Sequence, residues 1–226
     1  MDPNRHLRRL TTPRAAALAG VLFAVLFGTS LVLIRTALPE GAEPGSQWIE
    51  GASAQLRVSA ILMPFAGITF LWFIGVVRDG FGTYEDKFFS TVFVGSGLLF
   101  LAMVFVASAV GSGLAASRAG IPDVTVMDEV ALLGQGMLHT LATTYGIRMA
   151  AVFMMSLATI WLRTGLMPRW LVIMTYLVAL GLLLAADISM WLTLAFPLWV
   201  LVVSIVLLVR AGVIDLRHDS PDSDPR

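Results

Sequence analysis

The sequence predicts an all-α fold, a polytopic transmembrane bundle of six spans with both termini on the cytoplasmic side. Three observations carry that expectation. Of 226 residues, 58% are hydrophobic and 13% charged, and the mean hydropathy is +0.85. A soluble domain averages roughly half apolar and a quarter charged, so this composition points to the bilayer as solvent. The apolar residues gather into runs of about 20, the length that crosses a roughly 30 Å hydrocarbon core. The arginines, finally, crowd the gaps on one side of the predicted spans.

Residues 1–14 form a basic N-terminus carrying Arg5, Arg8, Arg9 and Arg14. The apolar run that follows exceeds the roughly 7–15 residues of a signal-peptide core. No A-x-A site follows it, so it is expected to remain as an uncleaved first span over 15–34. Thr12 and Pro13 supply an N-cap and a first-turn proline for it. Ala16, Gly20, Ala24 and Gly28 recur every four residues, a stripe that lets another helix approach closely. Arg35 closes the span. Ala37 to Leu56, acidic through Glu40, Glu43 and Glu50, reads as a loop with a short surface helix near Trp48.

Span 2 occupies 58–77 between Arg57 and Arg78, with Pro64 expected to kink it. Arg78 to Lys87 is a charged turn. Thr83 is the expected N-cap of span 3, with Glu85 and Asp86 in a first turn that favours acids. Span 3 covers 88–110, and Gly111 to Leu133 is the longest connection. Asp123 to Gly136, which begins in that connection, is expected to be a surface helix or an outward extension of span 4. Span 4 covers 140–162, and Arg163 to Arg169 forms a short turn. Trp170 to Val209 holds forty residues with one charge, Asp187. That is too long for one crossing, so it divides into spans at 170–187 and 190–209, with a tight turn at Asp187-Ile188-Ser189. Pro197 should kink the last span. The transmembrane domain is thus 15–210, and 211–226 is a polar cytoplasmic tail expected to be disordered.

Orientation follows from the basic residues, which favour the cytoplasmic side. All 15 are arginine except Lys87. One side receives Arg5, Arg8, Arg9, Arg14, Arg78, Lys87, Arg163, Arg169, Arg210, Arg217 and Arg226; the other receives Arg35, Arg57 and Arg118. Arg148 alone falls within a span.

That residue defines the candidate site. Arg148 precedes Arg163 by 15 residues, which sets it roughly 22 Å from the cytoplasmic surface. Asp187 follows Arg169 by 18 residues, roughly 27 Å from the same surface. The two are therefore expected to pair between spans 4 and 5 in the outer leaflet, with Asp128 and Glu129 as competing partners. Thr144 and Tyr145, four and three residues earlier, share the Arg148 face in an α-helix. The pair is either a structural clasp or an anion-binding charge at the floor of an outward-facing cavity; alternatively Arg148 snorkels to headgroups.

Other chemistry finds little support. The chain has no cysteine, which excludes disulfides and thiol catalysis. His139 is the one histidine near the membrane, and a single imidazole holds neither a zinc nor a doubly ligated haem. Met149, Met154 and Met155 read as packing residues. Gly80-Phe81-Gly82 follows no strand and makes a poor phosphate loop. No hydrolase, zinc-protease or nucleotide-binding motif occurs, so no catalytic residue, metal or cofactor is assigned. A net charge of zero gives no reason to expect a nucleic-acid partner. The expected partners are the lipid bilayer, a second copy of the chain or other membrane subunits.

Ile34 to Pro39 echoes Leu162 to Pro168, and Arg57 and Arg169 then open the next spans. Three spans separate the copies, the spacing of an inverted repeat. The stretch Arg78 to Phe100, RDGFGTYEDKFFSTVFVGSGLLF, resembles a segment recurrent in bacterial six-span membrane proteins of uncharacterised function. With the basic N-terminus and span 1, the resemblance covers the first half of the chain; it implies a fold and no activity. Three functions are carried forward: a non-catalytic membrane subunit that assembles with partners, a small transporter or ligand-binding protein built around Arg148, and, third, a membrane enzyme acting on lipid.

Overall fold

A computed structural model describes residues 4–37, 47–80, 87–117, 120, 123–185 and 190–210, and among the described residues no strand occurs. The helices are α1 (Asn4–Ala37), α2 (Gln47–Asp79), α3 (Lys87–Ser117), α4 (Val124–His139), α5 (Ile147–Thr164), α6 (Arg169–Ala185) and α7 (Ala195–Arg210). A π-helical turn, Thr140–Gly146, joins α4 to α5, and a 3₁₀ turn, Met190–Leu194, leads into α7. Five stretches are long and apolar enough to cross a membrane: Ala17–Ala37, Ala54–Asp79, Lys87–Ser117, Val124–Thr164 and Trp191–Arg210. The apolar α6 is shorter, at 17 residues.

The helices pack around a ring in chain order. α1 lies on α2, α2 on α3, α3 on α5 and α5 on α6; α7 then closes the ring against α1. The centre is aromatic. Phe70 of α2 meets Phe23 of α1 at 4.5 Å between ring centroids, Phe100 of α3 at 5.5 Å, Phe153 of α5 at 5.2 Å and Phe196 of α7 at 5.8 Å. All five rings are fully buried. Lipid gives apolar groups no reason to leave it, so van der Waals packing of this kind has to hold the helices together. Polar pairs add to it: Thr159 and Tyr176 share a hydrogen bond of 2.7 Å between α5 and α6.

Several sequence expectations change. Helix α1 begins at Asn4, so Thr12 is no N-cap; the arginine-rich segment before it is made of good helix formers. Residues near Trp48 form the start of α2 rather than a separate surface helix. α3 continues to Ser117, well past 110, so the connection to α4 shrinks to 118–123. The reason is packing: Ala107 and Leu114 of α3 form a satellite core with Leu138 of α4. That burial outweighs the poor helix propensity of Gly111 and Gly113.

Asp123 caps α4, its carboxylate accepting from the Thr125 N–H at 2.9 Å. The extension expected over Asp123 to Gly136 is therefore real, and it runs unbroken through the π turn into α5. Pro64 lies inside α2 as expected. Pro197 instead falls in the first turn of α7, where backbone N–H groups lack intrahelical acceptors, so it starts the helix. The Arg163–Arg169 turn is closed by Gly165 at φ 65°, whose N–H donates to the Trp161 carbonyl at 2.9 Å. Thr83, Glu85, Asp86, the Asp187-Ile188-Ser189 turn and the tail 211–226 lie outside the described residues.

Candidate functional site

Arg148 stands in the first turn of α5 and is half-buried. The π turn immediately before it sets its surroundings. There the Ile147 N–H reaches back five residues to the Ala142 carbonyl, which dislocates the normal ladder. Arg148 Nη1 donates to the Thr144 carbonyl oxygen in that turn at 2.9 Å. One guanidinium nitrogen thus anchors on the preceding turn of its own helix.

Of the expected network, Thr144 and Tyr145 fall within the described residues. Thr144 contributes its carbonyl to the Arg148 contact. Tyr145 is 54% exposed, because a π turn advances fewer degrees per residue and carries it away from the buried side. Asp187 lies outside the described residues. Asp128 and Glu129 are ruled out as direct partners: they sit 20 and 19 residues before Arg148 on one continuous helical rod, roughly 30 Å away. Among the described residues, one carboxylate oxygen of Asp128, Oδ1, is buried without a hydrogen-bond partner.

The small-residue stripe divides in two. A Cβ at Gly20 would collide with Ser204 Oγ of α7 and come within 2.8 Å of the Phe73 ring of α2. Gly20 therefore serves the chain's own helices, and Ala24 beside it is buried too. Gly28 has open space where a Cβ would stand. It borders an apolar groove between α1 and the start of α7. Of Ala16, the described structure gives only its place in α1.

A second cation emerges at the end of α1, where the sequence reads Arg35 as the residue that closes span 1. Arg35, in the last turn of α1, is only 8% exposed. Its Nη2 donates to Thr193 Oγ1 at 3.3 Å, while among the described residues its buried Nε has no hydrogen-bond partner. One signal was available: Arg35 follows Gly28 by seven residues and so shares the face of the stripe. Its counterpart in the apparent repeat, Arg163, is exposed and lies 4.7 Å from the centroid of the Phe89 ring. The two echoed arginines thus occupy opposite environments.

At the other end of the bundle, Arg78, Arg163 and Arg210 fall in the last turns of α2, α5 and α7, and Lys87 and Arg169 begin α3 and α6. Arg210 donates to the Leu166 carbonyl, tying the end of α7 to the turn between α5 and α6. His139 is exposed in the last turn of α4, and Met154 is fully buried in the core. Among the described residues no group of three or more histidines or acids is placed to hold a metal ion. No protein family, curated protein or solved structure matches the chain.

Proposed function

We propose that the chain is a non-catalytic, multi-pass subunit of a bacterial cytoplasmic membrane, with both termini inside, that acts by assembling with a protein partner. The positive-inside rule supports the orientation, since five described helix ends place a basic residue at the same end of the bundle. The aromatic plug around Phe70 speaks against a route through the centre. The observation that carries the assembly reading is α4. Leu132 and Leu133 are exposed at 61% and 67%. They lie 31 and 30 residues from Arg163 along one rod, roughly 45 Å, well beyond a ~30 Å hydrocarbon layer. Apolar surface held outside that layer lacks cover from lipid tails and is suited to another protein. The partner is a second copy or a different membrane subunit.

A photo-crosslinking residue at 133 tests this in native membranes. A discrete protein adduct is expected from that position and none from 177 on the lipid-facing side of α6. Lipid adducts alone at 133 would overturn the reading. Orientation is checked separately, because the chain has no native cysteine. Val124→Cys should react with an impermeant maleimide in intact spheroplasts, and Leu166→Cys only after permeabilisation.

One observation favours a second reading, a small transporter or ligand-binding protein. Local π-helical turns often occur at functional sites, and this one directly precedes Arg148, which donates to the Thr144 carbonyl within it; Tyr145 and Asp187 are the further members proposed, Asp187 as the counter-charge. Arg148→Asp should impair folding, and adding Asp187→Arg should restore it. An unrescued double variant counts against the pair.

A further inference from the structure

The groove beside Gly28 and the buried Arg35 are neighbours along α1, Arg35 standing three residues beyond the groove-lining Val32. Ala24, Gly28 and Val32 form one wall of the groove, and Trp191, Pro197 and Leu198 stand across from them. Its volume is about 670 Å³. That lies within the roughly 300–1,000 Å³ of small-molecule sites. The α1 wall runs eight residues, or about 12 Å along the axis. Arg35 follows Val32 by three residues on the same side of the helix. The Thr193 to which it donates lies between Leu192 and Leu194, and both of these also line the groove.

Chemistry specifies the occupant. A guanidinium stays charged in any protein environment. Held at 8% exposure, it is costly unless an anion meets it. Among the described residues its one hydrogen bond goes to a neutral hydroxyl, and Nε has none. An apolar trough within one helical turn of a buried cation that meets no anion among the described residues calls for hydrocarbon and negative charge in one molecule. A second helix would fill the trough and leave the guanidinium unmatched.

We propose that this groove binds one anionic phospholipid, with the phosphodiester at Arg35 and an acyl chain along Ala24, Gly28 and Val32. The inference rests on the membrane reading above. In that orientation the site opens to the outer leaflet.

Delipidated full-length protein in detergent, titrated with phosphatidylglycerol or phosphatidylcholine and followed by native mass spectrometry, tests the site. One phosphatidylglycerol should bind in preference to phosphatidylcholine. Arg35→Gln should weaken that binding roughly tenfold or more, the usual cost of losing a charge-assisted bond, and abolish the preference. Arg35→Lys keeps the charge and should retain the preference, which guards against misfolding as the cause. Leu198→Trp, by filling the trough, should weaken both lipids. Equal binding of the two lipids, or an Arg35→Gln variant that keeps the preference, overturns the proposal. Thermal protection by inorganic phosphate equal to that by phosphatidylglycerol overturns the lipid as the source of the anion. Extraction of the chain from native membranes by alkaline carbonate would refute the membrane reading itself; retention without lipid preference refutes only this site.

Discussion

The indole Nε1 of Trp199 donates to the hydroxyl oxygen of Thr175 at 2.9 Å, and that hydroxyl donates in turn to the Leu171 carbonyl at 2.7 Å. Both side chains are buried, so the threonine satisfies α7 and α6 together. Thr175→Val keeps the shape and strands the indole N–H. Stability should fall by about 1–2 kcal/mol, the range expected for one buried donor between membrane helices. Denaturant titration in micelles measures it. Trp199→Phe on that background should add less than it costs alone, because the stranded donor is then gone.

Gly20 and Gly28 look equivalent in sequence and should behave oppositely. Gly20→Val drives a branched side chain into Ser204 and Phe73. Overpacking of that kind costs about 1–3 kcal/mol. Gly28→Ala meets nothing within 4 Å. It should leave the melting temperature unchanged or raise it, since alanine is the better helix former by up to about 1 kcal/mol. Melting curves of the two variants that coincide would show that the stripe packs differently.

Phe70 is the hub of the aromatic centre. Its removal in Phe70→Ala should cost about 3–5 kcal/mol, the range for a truncated core phenylalanine. Phe70→Leu should cost less. The contrast with an exposed apolar residue such as Phe65, 57% exposed, isolates packing from hydrophobicity. Phe65→Ala should be close to neutral in the same assay.

Much of this architecture was legible in sequence, and the failures have identifiable causes. Runs of about 20 apolar residues, broken by arginines, locate the bundle because a bilayer leaves few other solutions. Helix ends were less legible. Gly111 and Gly113 suggest termination, yet Leu114 and Leu138 hold α3 and α4 together beyond them. The π turn has no residue signature, so the break it makes in the α-helical spacing between Tyr145 and Arg148 is invisible in sequence. Continuity of α4 with α5 removes Asp128 and Glu129 from contention, a fact that depends on geometry between residues rather than on their identities. Arg35 was overlooked because a charge tally records where a residue sits in sequence and ignores which way its helix face turns.

Gly134 marks the contact that keeps α4 upright. A Cβ there would stand 2.5 Å from both methyl carbons of Leu114. Gly134→Val should loosen α4 from α3 while sparing the aromatic core. Hydrogen–deuterium exchange should therefore accelerate over 124–139 and remain slow over 147–164. Uniform acceleration across both stretches would place α4 within the global folding unit instead.

The length of the helix that joins α4 to α5 bears on what lies above the lipid. Val124–Thr164 holds 41 residues, about 60 Å, whereas the hydrocarbon of an average bilayer is roughly 30 Å thick. In a membrane, about half of that helix stands clear of the acyl chains. It is then a mast stepped in the bundle, and whatever leans on its upper half pulls through the π turn on the core beneath.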